Sequence, residues 1–133
     1  MADIDARLAA LPAPVRLVFF TQTVGCDTCL PARQLVDRIA AASDQITVQE
    51  HNFVLDKDEV AVYGIDRVPA IAIVGATDVG IRYYGIPTGF EVESVIGAIE
   101  IAANEMPKFG DTARATIEAL DRDVRIQVFV TPT

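Results

Sequence analysis

Apolar and polar residues fall into blocks whose spacing switches between helical and extended periods. Between Asp3 and Leu11, the residues Ile4, Leu8 and Leu11 share one helical face, Asp3 stands at an N-cap position, and Pro12 and Pro14 end the segment. Val15-Arg16-Leu17-Val18-Phe19-Phe20-Thr21 then runs almost without alternation, the pattern of a strand covered on both faces and therefore central in its sheet. A turn over Thr21 to Gly25 leads to Cys26-Asp27-Thr28-Cys29. After it Leu30, Leu35, Val36, Ile39 and Ala40 return at helical spacing as far as Ser43-Asp44.

Gln45 to Phe53 sets Ile46, Val48 and Phe53 among polar residues and predicts a second strand, parallel to the first through a right-handed crossover. A brief helix capped by Asp56 carries Val60 and Tyr63 and closes at Gly64. Val68-Pro69-Ala70-Ile71-Ala72-Ile73-Val74 is an apolar strand whose proline sits at the entry, where a missing N–H costs no ladder bond. Gly75 to Gly80 turns the chain back into Ile81-Arg82-Tyr83-Tyr84-Gly85 as a hairpin, and Gly89 to Asn104 is a long helix stopped before Pro107. The order α-β-α-β-α-β-β-α predicts an α/β fold, a four-stranded mixed sheet with helices on both faces.

Such a unit is complete at residues 1–107, yet the pattern continues through a helical Thr112 to Leu120 into an extended Arg125 to Thr133. Val128-Phe129-Val130-Thr131-Pro132-Thr133 matches Val18-Phe19-Phe20-Thr21-Gln22-Thr23 at a spacing of 110 residues, and the first copy reaches its cysteine three residues later. A repeat at domain-sized period implies tandem units, so 108–133 is expected to be a linker helix and the first strand of a truncated second unit. An apolar strand of that kind must be covered, either by packing on its own unit or by pairing with a second chain in a homodimer.

Composition narrows the choice of chemistry. The 133 residues are 51% hydrophobic, enough for a core without staples, and no apolar run approaches the ~20 residues of a membrane helix. A net charge of −8 repels phosphate backbones and anionic lipid, which sets aside nucleic acid and membranes as partners. Met1-Ala2-Asp3-Ile4-Asp5 carries two acids before any base and no signal-peptide core follows, so the expected address is cytoplasmic.

The two cysteines are too few for a disulfide framework, and their spacing puts both sulfurs on one helical turn. Cys26, just before the helix and exposed, is the expected attacking thiolate, favoured by the partial positive charge of the helix N-terminus. Cys29, one turn in, is the expected resolving thiol that displaces product from the mixed disulfide. Asp27 beside Cys26 disfavours a second negative charge and so raises the thiol's pKa, which makes for a more reducing couple. Pro69 and its extended neighbour Val68 form a second element. Taken locally, a trans proline at a strand start is the commoner case, since only about one X–Pro bond in twenty is cis.

Cys26-Asp27-Thr28-Cys29, Gly64-Ile65-Asp66-Arg67-Val68-Pro69-Ala70-Ile71 and Ile81-Arg82-Tyr83-Tyr84-Gly85-Ile86-Pro87-Thr88-Gly89-Phe90-Glu91 together resemble the first unit of the two-unit, glutaredoxin-like protein disulfide oxidoreductases. The resemblance implies a thioredoxin-like fold with an extra N-terminal helix, a nucleophilic Cys26, a resolving Cys29, a cis Pro69 facing them, and Thr28 and Val68 in support. It implies protein disulfides as substrates, a donor resembling thioredoxin reductase, and no cofactor. The sequence departs from thioredoxins at Phe20, where they carry a buried aspartate. Glu50 is a candidate replacement as proton shuttle, although an exposed strand glutamate is the commoner case.

Other readings compete with this one. A structural zinc site needs four ligands, and His51, the one remaining soft ligand, is far along the chain and more often a strand-end histidine than a base. A redox-silent binding or structural module, or an electron-relay module of a peroxide-reducing flavoprotein system, would use the same fold. Arg67 either offsets Asp27 or guides acidic substrates, or is a solvated turn residue, the commoner case. Tyr83, Tyr84 and Phe90 are expected in the core rather than in a docking patch. The Asp27 argument predicts a reductase-like potential, to be measured by equilibrating the protein against glutathione and dithiothreitol buffers; a potential as high as that of the oxidising family members refutes it.

Overall fold

A computed structural model describes residues 2–104 and 109–131. In chain order the elements are α1 (Ala2–Ala9), β1 (Val15–Thr21), α2 (Cys29–Ala41), β2 (Ile46–Asn52), α3 (Lys57–Tyr63), β3 (Ala70–Val74), β4 (Ile81–Tyr84), α4 (Glu91–Ala102) and α5 (Asp111–Glu118). Pro107 as a helix stop, the 107/108 boundary and the Pro132-Thr133 end of the repeat lie outside the described residues. Among the described residues no helix is long and apolar enough to cross a membrane.

The sheet order is β2-β1-β3-β4, with β1 parallel to β2 and antiparallel to β3, and β3 antiparallel to β4. Because β1 is interior, its side chains feed two cores. Leu17 and Phe19 join Ala32, Val36, Ile39, Val95, Ile96 and Ile99 beneath α2 and α4, while Val18 and Phe20 join Ala70, Ala72 and Ile65 on the α3 side. α1 closes the first core through Leu8, and its Arg7 donates to Glu93 and Glu100 of α4. Gly75, at the end of β3, lies so close to α4 that a Cβ there would fall inside the carbonyl of Ala102.

Local chemistry adjusts several expected boundaries. Asp3 lies in the first turn of α1 rather than capping it. β3 starts one residue after Pro69, since proline has no N–H for the ladder. Asp56 occupies the N-cap position of α3, but its carboxylate accepts the N–H of Asn52 instead. Gly64 ends α3 in the left-handed region at φ 65°, with its own N–H on Ala61 and that of Ile65 on Val60, a Schellman closure that buries Ile65. Leu30 is 67% exposed, because the buried stripe of α2 is Cys29, Ala32, Val36 and Ile39, three or four residues apart.

The expectation that the segment after α5 forms a strand covered by its own unit is not met. Residues 120–131 carry no strand or helix, and Ile126, Val128, Phe129 and Val130 are exposed, Phe129 at 90%. Strand-like composition makes a strand only where a neighbouring edge supplies the hydrogen bonds, and none of the four strands of the sheet pairs with this segment.

Arg82 ties the hairpin to α3. Its guanidinium donates to both carboxylate oxygens of Asp78 (2.9 and 2.6 Å) and to the Tyr63 carbonyl (2.9 Å) and lies over the Tyr63 ring. The hydrogen bond from Arg82 holds the Asp78 carboxyl below its ordinary range, and the Gly80 N–H adds to this. A carboxyl whose folded pKa is depressed contributes stability above its unfolded pKa and loses it as pH falls through the folded value. Asp78→Asn is therefore expected to cost about 1 kcal/mol near neutrality, with the gap to wild type closing below about pH 4 in thermal melts. A gap that persists unchanged into acid would exclude this ionic role.

Candidate active site

Strand directions gather the candidate residues at one end of the sheet. β1 ends at Thr21, five residues before Cys26, and its Phe20 is paired with Ala70, so the start of β3 and Val68-Pro69 lie at that end. Ala70 is in turn paired with Tyr84, which brings the Gly85 to Phe90 loop there too, and the Gly85 N–H donates to the Pro69 carbonyl at 2.9 Å. The parallel β2 delivers His51 and Asn52 to the same end.

Cys26 and Cys29 form a disulfide with Cα atoms 5.5 Å apart. Gly25 takes φ 77°, a left-handed conformation that glycine adopts without a Cβ penalty, and so turns the chain into the pair. Cys26 is partly exposed, whereas Cys29 is 3% exposed and on the buried stripe of α2. Cys29 opens the helix rather than lying a turn inside it, and Pro31 falls in the first turn, where an N–H would lack an intrahelical acceptor. Thr28 holds the cap position with its hydroxyl 4.0 Å from the Cys26 Sγ, and Asp27 is exposed. The sulfurs thus stand at a helix N-terminus, whose free N–H groups stabilise a thiolate formed on reduction.

Val68 is half-buried, Pro69 is buried, and the peptide between them is cis. Val68 itself lies outside the strand register.

Glu50 is exposed and ion-paired with Arg33 of α2, which also binds Asp37 at 2.8 Å. It lies beside Phe19 in register, on the surface side of the first core. His51 is less exposed than a strand-end histidine would be. Its side chain is 14% exposed, its ring lies 5.5 Å from that of Phe20, and its nitrogens face Asp56 and Glu59 at 3.7 and 3.9 Å. The buried Nε2 has no hydrogen-bond partner among the described residues. Among them, too, no group of three or more histidine, cysteine, aspartate or glutamate side chains is placed to hold a metal.

Phe90 departs from its expected core position. It caps α4, whose buried residues begin at Val95, and is 80% exposed. Tyr83 and Tyr84 are half-buried and pack on opposite cores. The Tyr83 hydroxyl donates to Glu91 at 2.5 Å, and burial, with that carboxylate, pushes its ionisation up. Arg67 lies over the Tyr84 ring at 4.6 Å. Arginine and tyrosine 17 residues apart gave no sequence signal of this contact, which exists because the hairpin folds β4 against the loop before β3.

No family model matches the chain, and no curated protein does. Solved structures do. The alkylhydroperoxide reductase AhpF from Enterococcus faecalis superposes with a TM-score of 0.78 at 23% identity, over 90% of this chain and 58% of that one. A protein disulfide oxidoreductase from Aeropyrum pernix superposes at 0.75 and 21% identity, over 90% of this chain and 53% of its own. Trichomonas vaginalis thioredoxin gives 0.51 and 20% identity, over 75% and 88% of the two chains. The chain has the thioredoxin fold, and it spans little more than half the length of the first two proteins.

The exposed carboxylate of Glu50, the candidate shuttle, is engaged by Arg33. Glu50→Gln is expected to leave the pH profile of Cys26/Cys29 oxidation unchanged in a thiol-trapping titration; a displaced profile would restore Glu50 as the shuttle.

Proposed function

We propose that the protein is a thiol-disulfide oxidoreductase acting on protein disulfides through the Cys26/Cys29 couple. The observation that carries this is the asymmetry of the pair at the helix start, one sulfur accessible and the other buried beneath it. In the reducing direction the Cys26 thiolate attacks a substrate disulfide, forming a mixed disulfide and expelling one substrate thiolate. The Cys29 thiolate then attacks the Cys26 sulfur and releases the second, so two electrons pass to the substrate and the Cys26–Cys29 bond forms. A separate dithiol donor, in the manner of thioredoxin reductase, returns the pair to its reduced state.

Docking of a protein, rather than a small thiol, is supported by Val24 and Leu30, exposed at 84% and 67% on either side of the cysteines. Val68, outside the ladder at the same sheet end, supplies main-chain groups for an extended substrate segment. The resemblance of the motifs supports a glutaredoxin-like character, and a cytoplasmic setting is part of the same proposal. The internal repeat supports 108–133 as the connector and first strand of a second such unit, and the exposed Val128-Phe129-Val130 supports its burial there or in a homodimer. A relay role, passing electrons within a peroxide-reducing assembly, is the second reading, favoured by the likeness to the alkylhydroperoxide reductase AhpF.

Insulin reduction driven by dithiothreitol tests the first reading. Wild type is expected to accelerate turbidity, Cys26→Ser to fall to background, and Cys29→Ser to accumulate a mixed disulfide visible by intact mass. Equal traces for wild type and Cys26→Ser would overturn it.

A further inference from the structure

Arg67 stands two residues before Pro69, in the loop that enters β3 at the disulfide end of the sheet. Three of the six arginines between residues 2 and 104 are spent on carboxylates: Arg7 on Glu93 and Glu100, Arg33 on Asp37 and Glu50, Arg82 on Asp78. Arg67 is held differently. Its guanidinium lies over the Tyr84 ring at 4.6 Å, and its Nε stands 3.5 Å from an exposed neighbour, Asp66. The Arg67 side chain remains 68% exposed.

Contact with the face of a ring that is itself packed against the α3-side core restrains the guanidinium before any partner arrives. A cation so restrained loses little side-chain freedom when it takes up a carboxylate, and a planar fork matches a carboxylate in a way an ammonium does not. The surroundings sharpen the choice. Asp27 and Asp66 are both exposed, and the chain carries a net charge of −8, so an acidic group on a partner is repelled by these neighbours and attracted by Arg67.

We propose that Arg67, stacked on Tyr84, is a specificity-determining residue that takes a carboxylate carried by the disulfide partner on one side of its reacting cysteine. This rests on the oxidoreductase reading. Substrates with an acidic residue on that side are selected, and the same residue on the other side gains nothing.

Short peptide disulfides with Gly, Glu or Lys placed before or after the cysteine test this, using dithiothreitol as the donor. Wild type is expected to show a KM about three- to fivefold lower for Glu on one side than for Gly, with kcat unchanged and the preference shrinking in 0.5 M salt, roughly what one exposed ion pair supplies. Arg67→Ala should erase the preference while leaving the Gly peptide unaffected. Tyr84→Phe should retain most of it, and Arg67→Lys and Tyr84→Leu should weaken it. A flat charge series in wild type, or a preference that survives Arg67→Ala, overturns the proposal with the oxidoreductase reading intact. Failure of wild type to reduce even the Gly peptide removes that reading and this inference with it.

Discussion

The burial of β1 on both faces is the constraint from which the rest of the structure follows. Leu17, Val18, Phe19 and Phe20 are all fully buried, so the strand must have a sheet neighbour on each edge and a layer of helix on each side. The parallel β2 satisfies one edge and forces the crossover that becomes α2. The antiparallel β3 satisfies the other, and so its entry sits beside the exit of β1. That geometry alone sets the cysteines, the Val68-Pro69 loop and the loop after β4 at one end of the sheet.

The chemistry at that end depends on the division between covered and open. Cys29 belongs to the stripe of α2 that packs on the sheet, whereas Cys26 belongs to the turn that precedes it. An apolar Phe20 stands where thioredoxins carry a carboxylate, and Glu50 is turned to Arg33 on the surface. The histidine packed against Phe20, His51, brings a polar nitrogen into that apolar setting. The loops at that end of the sheet carry exposed charged groups, Asp27, Asp66 and Arg67.

The segment beyond α4 shows the opposite situation. α5 is an eight-residue helix, short for independent stability in water, and the apolar residues that follow it lie open. Its composition resembles β1, but β1 is a strand because two neighbours pair with it, and none of the described strands pairs with this segment.

Much of the fold was legible in the sequence because periodicity reports burial. The unbroken run of β1, the apolar β3 entered through a proline, the stripe of α4 and the Gly64 closure each depend on local sterics or on which face is apolar. The two cysteines were legible as a pair from their spacing alone, since two intervening residues keep both sulfurs at the start of one helix. What the sequence left open depends on contacts between distant elements: Leu30 and Phe90 facing outward, Glu50 bound to Arg33, His51 packed on Phe20, Arg67 laid over Tyr84. Hydropathy says that a residue can be buried, but only the packed neighbours decide whether there is a surface to bury it against. The tail after α5 has the same strand-forming residues as β1, and it was the tertiary structure that decided which of the two became a strand, because a strand is completed by its partner's hydrogen bonds.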